Sequence, residues 1–259
     1  MIILTSPTLT AEQPRNIVAE GDDYAIEGTA TGVDDVDIAL IGPDGYPPGE
    51  TRLGVEYGLV ITSTSVTDNE FSEDIVMKEG TEGTWKTLIF SPGLDGEYGS
   101  TGLTSGELWS IIAFENFTGK TQTQIEALLK DLTVWSAGSD DLMENLTFEV
   151  ENPYVRFNPI ENVITGEPLE ITGKTNREPG TAIAIWSIEG PQELPPVITE
   201  VGWSTPDQGI FNATIETSNV VQGIYTLEAN DGDGNNDTAT VEILAPISIF
   251  DTGKGTYSS

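Results

Sequence analysis

The sequence predicts a mainly β chain of two β-sandwich domains in tandem, the first carrying a helical insertion. Three observations lead there. A weak internal repeat divides the chain: residues 17–48 and 163–196 share one order of features. Each copy has a Gly-containing turn, an alternating strand running into Gly, a polar turn, a second strand, Gly-Pro and then a double Pro. Repetition at that distance reads as two related domains. Strand-like segments also recur about every ten residues with turn residues between them, the rhythm of a sandwich. A single segment has clear helical periodicity.

In the first domain, residues 1–150, Ile38-Ala39-Leu40-Ile41 is a short apolar run that reads as a buried strand. Val55, Leu59 and Ile61 follow on the next. Trp85–Phe90 is rich in β-favouring residues and stops at Ser91-Pro92-Gly93. Thr123-x-x-Glu126 fits a capping box, and Ile125, Leu128, Leu129 and Leu132 recur at helical spacing, which predicts a helix over 123–132. A strand over Asn145–Val150 comes next. Asn152-Pro153 fits a short linker, because the residue before Pro is driven extended. The second domain, residues 151–246, has strand patterns at Ile183–Trp186, Phe211–Ile215, Tyr225–Ala229 and Ala239–Leu244. About seven strands at this spacing make an immunoglobulin-like sandwich. Residues 247–259 lack periodicity and read as a linker or tail.

Composition narrows the function. The chain of 259 residues carries 43 acidic and 10 basic residues, a net charge of −33. The acidity is general: residues 1–150 hold 27 acids and 6 bases, residues 151–246 hold 15 and 3. Nucleic acid would be repelled, and so would an anionic membrane surface. The longest apolar runs are about five residues, too short to span a bilayer. The first residues, Met1 to Pro7, lack the basic and apolar regions of a signal peptide. If exported, the chain is expected to be a mature fragment of a longer protein.

The chain has no Cys and no His. That removes disulfides, thiolate catalysis, Ser-His-Asp arrangements and the common zinc sites. No Gly-rich phosphate loop is present. A pair of carboxylates can hydrolyse a glycoside, but 43 acids give no basis for choosing two. We therefore expect no enzyme and no catalytic or cofactor-binding residue.

Four glycosylation sequons stand out, at Asn116, Asn145, Asn212 and Asn236, each of the form Asn-x-Thr. Asp231, Asp233, Asn235, Asp237 and Glu242 fall at positions 1, 3, 5, 7 and 12 of a calcium-loop pattern. Asn236 stands where that loop wants Gly, and Glu242 lies in a β pattern. The competing reading of Asp231–Asp237 is a hairpin turn. The cofactor expectation is accordingly none, or calcium or another divalent cation. Asp34, Asp35 and Asp37 form a further acidic cluster and Asp140-Asp141 another; both read as solvated turns. Trp85, Trp109, Trp135, Trp186 and Trp203 read as packing residues rather than a sugar-stacking platform.

A family resemblance enters on the order of motifs. Ile171–Thr181, Gly223–Ala229 and Asp231–Asn235 resemble the repeated domains of methanogen surface-layer glycoproteins, within the archaeal surface-layer glycoproteins. So do Ile26–Ala30, Gly83-Thr84-Trp85, Ser91–Asp95, Ile125–Leu129 and Leu146–Val150. The resemblance implies a secreted, glycosylated structural protein at the cell surface that self-associates into a two-dimensional lattice. It implies neighbouring domains on the same longer chain, and no catalytic residues. The alternative is an adhesin or carbohydrate-binding module of a larger exported protein.

Overall fold

The computed structural model describes residues 6–43, 59–114, 117 and 119–246. Val55, Asn116 and the tail 247–259 lie outside them. The chain divides into two compact units. One is Met1–Pro153 with Asn176–Glu178 and Trp203–Gly209; the other is Tyr154–Thr175, Pro179–Gly202 and Ile210–Ser259.

The first sandwich has β1 (Thr8–Glu12), β2 (Ile17–Ala19), β3 (Asp23–Thr31), β4 (Asp35–Ile41), β5 (Leu59–Ser65), β6 (Glu70–Val76), β7 (Gly83–Ser91) and β8 (Leu142–Glu151). Helices α1 (Ser105–Phe114) and α2 (Gln122–Leu132) lie between β7 and β8. Its sheets are ordered β1-β3-β6 and β2-β8-β7-β4-β5. Strand β2 runs parallel to β8. Ile26, Ile38, Leu40, Phe71, Trp85 and Phe148 form the core between the sheets. The second face of the five-stranded sheet is also covered: Ala39, Ile41, Leu88 and Phe90 pack with Leu108 and Ile112 of α1 and Ile125 and Leu129 of α2. Strand β4 thus feeds two cores alternately, which is why its sequence is a continuous apolar run.

Two readings of the helical region are corrected. The N-cap of α2 is Thr121, not Thr123: its hydroxyl accepts from Gln124 N–H while the Gln124 side chain accepts from Thr121 N–H. Thr121-x-x-Gln124 and Thr123-x-x-Glu126 both fit the pattern, and Glu126 is instead engaged by Lys86 and Lys130. Helix α1 was not anticipated. Of its apolar residues Leu108 and Ile112 are buried, Trp109 is half-buried and Ile111 is exposed, so the sequence shows no clean stripe.

The second sandwich has β9 (Val155–Phe157), β10 (Val163–Ile164), β11 (Leu169–Thr175), β12 (Ala182–Glu189), β13 (Val197–Glu200), β14 (Gly202–Thr205), β15 (Gln208–Ile215), β16 (Gly223–Asn230) and β17 (Asn236–Leu244). Its sheets are β10-β17-β16-β12-β13 and β14-β15-β11-β9. Strand β10 runs parallel to β17, as β2 does to β8. The two sandwiches therefore match strand for strand, except that β14 has no partner in the first and a tight hairpin replaces the helices. Both have the strand order of an immunoglobulin-like sandwich. Strand β11 alternates strictly between buried and exposed residues, one face on the core and the other on solvent.

The repeat extends to individual contacts. Tyr225 on β16 donates its hydroxyl to the Val221 carbonyl at 2.6 Å. Trp85 at the matching place on β7 donates its indole N–H to the Thr81 carbonyl at 2.7 Å. Each is preceded by a Gly packed against a Pro, Gly83 on Pro43 and Gly223 on Pro191. Gly28 on β3 lies under Phe71, and Gly173 on β11 lies under Phe211. These pairs explain the Gly and Gly-Pro positions that the two copies share.

Candidate functional site

The turn between β16 and β17 is a closed hairpin. Asp231 Oδ1 accepts from the N–H groups of Asp233 and Asn235 at 3.0 and 3.1 Å, and its Oδ2 from the Asn235 side chain at 2.7 Å. Gly232 and Gly234 take positive φ, +89° and +103°. Asp237 and Glu242 are not in the turn. Asp237 lies on β17 and accepts from Phe157 N–H at 2.8 Å. Glu242 is five residues further along, roughly 17 Å at strand rise. The structure brings Asp231, Asp233 and Asn235 together but leaves Glu242 far from them. Among the described residues no three acidic side chains converge as a metal site would require.

The two acidic clusters, distant in sequence, meet on one segment. Residues Pro92 to Gly99 run between Asp34, Asp35 and Asp37 on one side and Asp140 and Asp141 on the other. A cleft of about 500 Å³ is lined by Asp34, Asp35, Asp37, Asp95, Ser63 and Tyr98, among others. Asp37 is buried rather than solvated and accepts from the hydroxyls of Ser63 and Ser105. Asp140 accepts from Leu94 N–H and Asp141 from Gly99 N–H, each at 2.8 Å. Burial, then Asp95 and Asp140, hold the Asp141 carboxyl above the usual range. Burial raises the Tyr98 hydroxyl too, with Asp37 and Asp141 adding to it. Asp140 and Asp141 fasten the loop, and Asp37 ties β4 to β5 and to the start of α1, a role the sequence did not reveal.

A second cleft of about 770 Å³ lies on the β1-β3-β6 sheet, with Glu12, Glu27 and Glu70 among its lining. All three are exposed.

The sequon asparagines Asn145, Asn212 and Asn236 are all exposed. The tryptophans are dispersed. Trp85 is buried; Trp109, Trp186 and Trp203 are half-buried. Trp135 is 61 % exposed, with Lys130 over its ring at 5.3 Å. No helix among the described residues is long and apolar enough to cross a membrane.

No protein-family model matches the chain. It is similar to a cell surface glycoprotein of Haloarcula marismortui, 27 % identical over 223 residues, covering 85 % of this chain and 24 % of the relative. It is also similar to a cell surface glycoprotein of Halobacterium salinarum, 29 % identical over 248 residues, covering 94 % and 28 %. The chain thus spans about a quarter of the length of these curated relatives. They support an archaeal surface glycoprotein. They are haloarchaeal, so the methanogen type is not supported. Among solved structures, a chimeric titin Z1Z2 aligns over 95 % of this chain and 99 % of its own, with TM-score 0.36 and 14 % identity. A tetra-tandem repeat from the extending region of a large adhesion protein aligns over 92 % and 49 %, with TM-score 0.31 and 15 % identity.

Proposed function

We propose that this chain is a non-catalytic structural segment of an archaeal cell-surface protein, two sandwich domains in series within a longer extracellular chain that self-associates into a surface-layer lattice. The observation that carries the reading is similarity to haloarchaeal cell surface glycoproteins along 85–94 % of the chain. The fold supports it. Acids that look solvated in the sequence tie loops and elements together, and Glu12, Glu27 and Glu70 lie exposed on strands of an open sheet face. The scattered tryptophans speak against an aromatic sugar-binding platform.

In such a coat the acidic surface carries cation bridges between subunits. The test is fractionation of source cells. Recovery as an abundant envelope protein, released as smaller units by a chelator at low salt, is the expected result. Recovery in the soluble cell interior removes the surface reading. An envelope assembly that stays whole in chelator removes cation bridging alone.

A further inference from the structure

The sequons are not equivalent once the strands have paired. Asn145 to Thr147 occupy the middle three of the nine residue pairs joining β7 and β8. Asn212 to Thr214 lie within β15, which is paired on both sides by β14 and β11. There the Thr199 hydroxyl donates to the Asn212 carbonyl at 2.7 Å, and the Thr214 hydroxyl donates to Glu170 at 3.0 Å. Asn236 to Thr238 form the first three of the eight pairs of the β16–β17 ladder, next to the turn. The Asn and Thr of all three triplets are exposed, so it is strand pairing and not exposure that separates them.

N-glycan transfer needs the Asn carboxamide and the Thr hydroxyl of an extended triplet lifted away from its sheet. The carboxamide nitrogen attacks the anomeric carbon of an oligosaccharide carried on a lipid phosphate. The new C–N bond forms as the C–O bond to phosphate breaks; the nitrogen loses a proton and the lipid phosphate leaves. A ladder opens most cheaply from its end. The sequon at Asn236 opens by parting three terminal pairs, the Asp237 tether to Phe157 and the 3.3 Å bond that the Asn236 carboxamide donates to the Gly234 carbonyl. The bonds that Asp231 makes within the turn remain intact. The sequon at Asn145 opens only when half of a nine-pair ladder unzips, and that at Asn212 only when β15 leaves two neighbours.

We propose that, of the three sequons among the described residues, Asn236 is the N-glycan acceptor available in the folded protein, whereas Asn145 and Asn212 are acceptors only before their strands pair. In the cell this rests on the surface reading above; the test does not. The folded protein, in an Asn116→Gln background, is incubated with a single-subunit oligosaccharyltransferase specific for Asn-x-Thr and its lipid-linked oligosaccharide. Site occupancy is read by glycopeptide mass spectrometry. Occupancy at Asn236 is expected to exceed that at Asn145 and Asn212 by about ten-fold or more, a modest difference in opening free energy. The same protein in urea-unfolded form or as peptides is expected to show all three sites at comparable levels. Asp237→Ala is expected to raise modification at Asn236 in the folded chain, because the tether is gone. Equal occupancy of the three sites in the folded chain overturns the proposal. So does an Asn236 that is modified in the peptide but silent in the fold. A chain recovered from the cell interior removes the surface reading and leaves this ranking to its own result.

Discussion

A Cβ added to Gly173 would stand 2.0 Å from the Phe211 ring and 2.6 Å from the Arg156 carbonyl oxygen. The ring is buried and the carbonyl belongs to a paired strand, so neither gives way freely. Gly173→Ala is expected to cost about 1–3 kcal/mol, as overpacking does. It should be read as a lower urea midpoint with an unchanged m value. Tyr225→Phe tests the bond that ties β16 to the segment before it. Loss of the 2.6 Å bond to the Val221 carbonyl is expected to cost roughly 1 kcal/mol; an unchanged midpoint would sink that bond's role. Asp22 tests the pH response of the first unit. It is buried, accepts from Glu178 N–H at 2.7 Å and pairs with Arg177 at 3.1 Å. Burial outweighs Arg177 and pushes its carboxyl up to about 6. The folded value lies above the unfolded one of 3.8, so the folded state binds the proton more tightly. The penalty of ionised Asp22 is fully present above about 6 and is relieved as pH falls from there towards 4. Acidification over that window is expected to add on the order of 2 kcal/mol to the unit's stability. The contribution is isolated as the difference from Asp22→Asn, which should gain less. Parallel pH profiles for the two proteins would show that Asp22 does not titrate in this way.

At the scale of elements, Glu126 holds α2 to the sheet. It accepts from Lys86 on β7 and from Lys130 one turn along, each at 2.5 Å. Burial raises the Glu126 carboxyl, and the two lysines outweigh it, leaving it below its ordinary value. Its stabilisation is therefore present above the unfolded pKa and is lost as pH falls through the folded one. Glu126→Gln is expected to cost about 1–2 kcal/mol at neutral pH and nothing in acid, read by hydrogen exchange of α2. A gap between the two proteins that persists in acid contradicts the charge pairing. The same element shows what sequence can convey. Helix α2 was legible because Ile125, Leu128, Leu129 and Leu132 make one stripe over a polar back. Helix α1 was not, because Ile111 is apolar yet exposed and blurs the side marked by buried Leu108 and Ile112. The Thr-Gln repeat at the start of α2 also hid its cap, since Thr121-x-x-Gln124 and Thr123-x-x-Glu126 satisfy the same pattern and tertiary contacts choose between them. Strands were legible where one face is wet, as in β11, and also where both are dry, as in β4. Gly28 and Gly173 were visible as repeated letters, but the Phe ring that demands each lies some forty residues away in sequence. The acidic clusters failed for the same reason. Asp37 and Asp141 are far apart in the chain, and only the fold brings both to bear on Tyr98.

The whole molecule is governed by its charge. Of the ten basic residues, Arg15 and Arg177 are buried, and Lys86 and Lys130 are engaged by Glu126. Five carboxylates, Glu20, Asp22, Asp37, Asp141 and Asp231, are buried too, but folding takes a larger share of the bases than of the acids inward, and the surface stays strongly acidic. Repulsion among surface carboxylates opposes the compact state. Salt weakens it, because the screening length falls from about 10 Å at 0.1 M to about 3 Å at 1 M. The melting temperature is therefore expected to rise steeply with sodium chloride at pH 7.5. General strengthening of apolar burial by salt would produce a rise as well, so pH separates the two causes. Near pH 4.1, the isoelectric point, the net charge is gone and the repulsive contribution with it. A salt dependence that is steep at pH 7.5 and shallow near pH 4.1 assigns the effect to surface charge. Equal slopes at both pH values assign it to burial, and the acidic surface then serves solvation and cation binding rather than the stability of the fold.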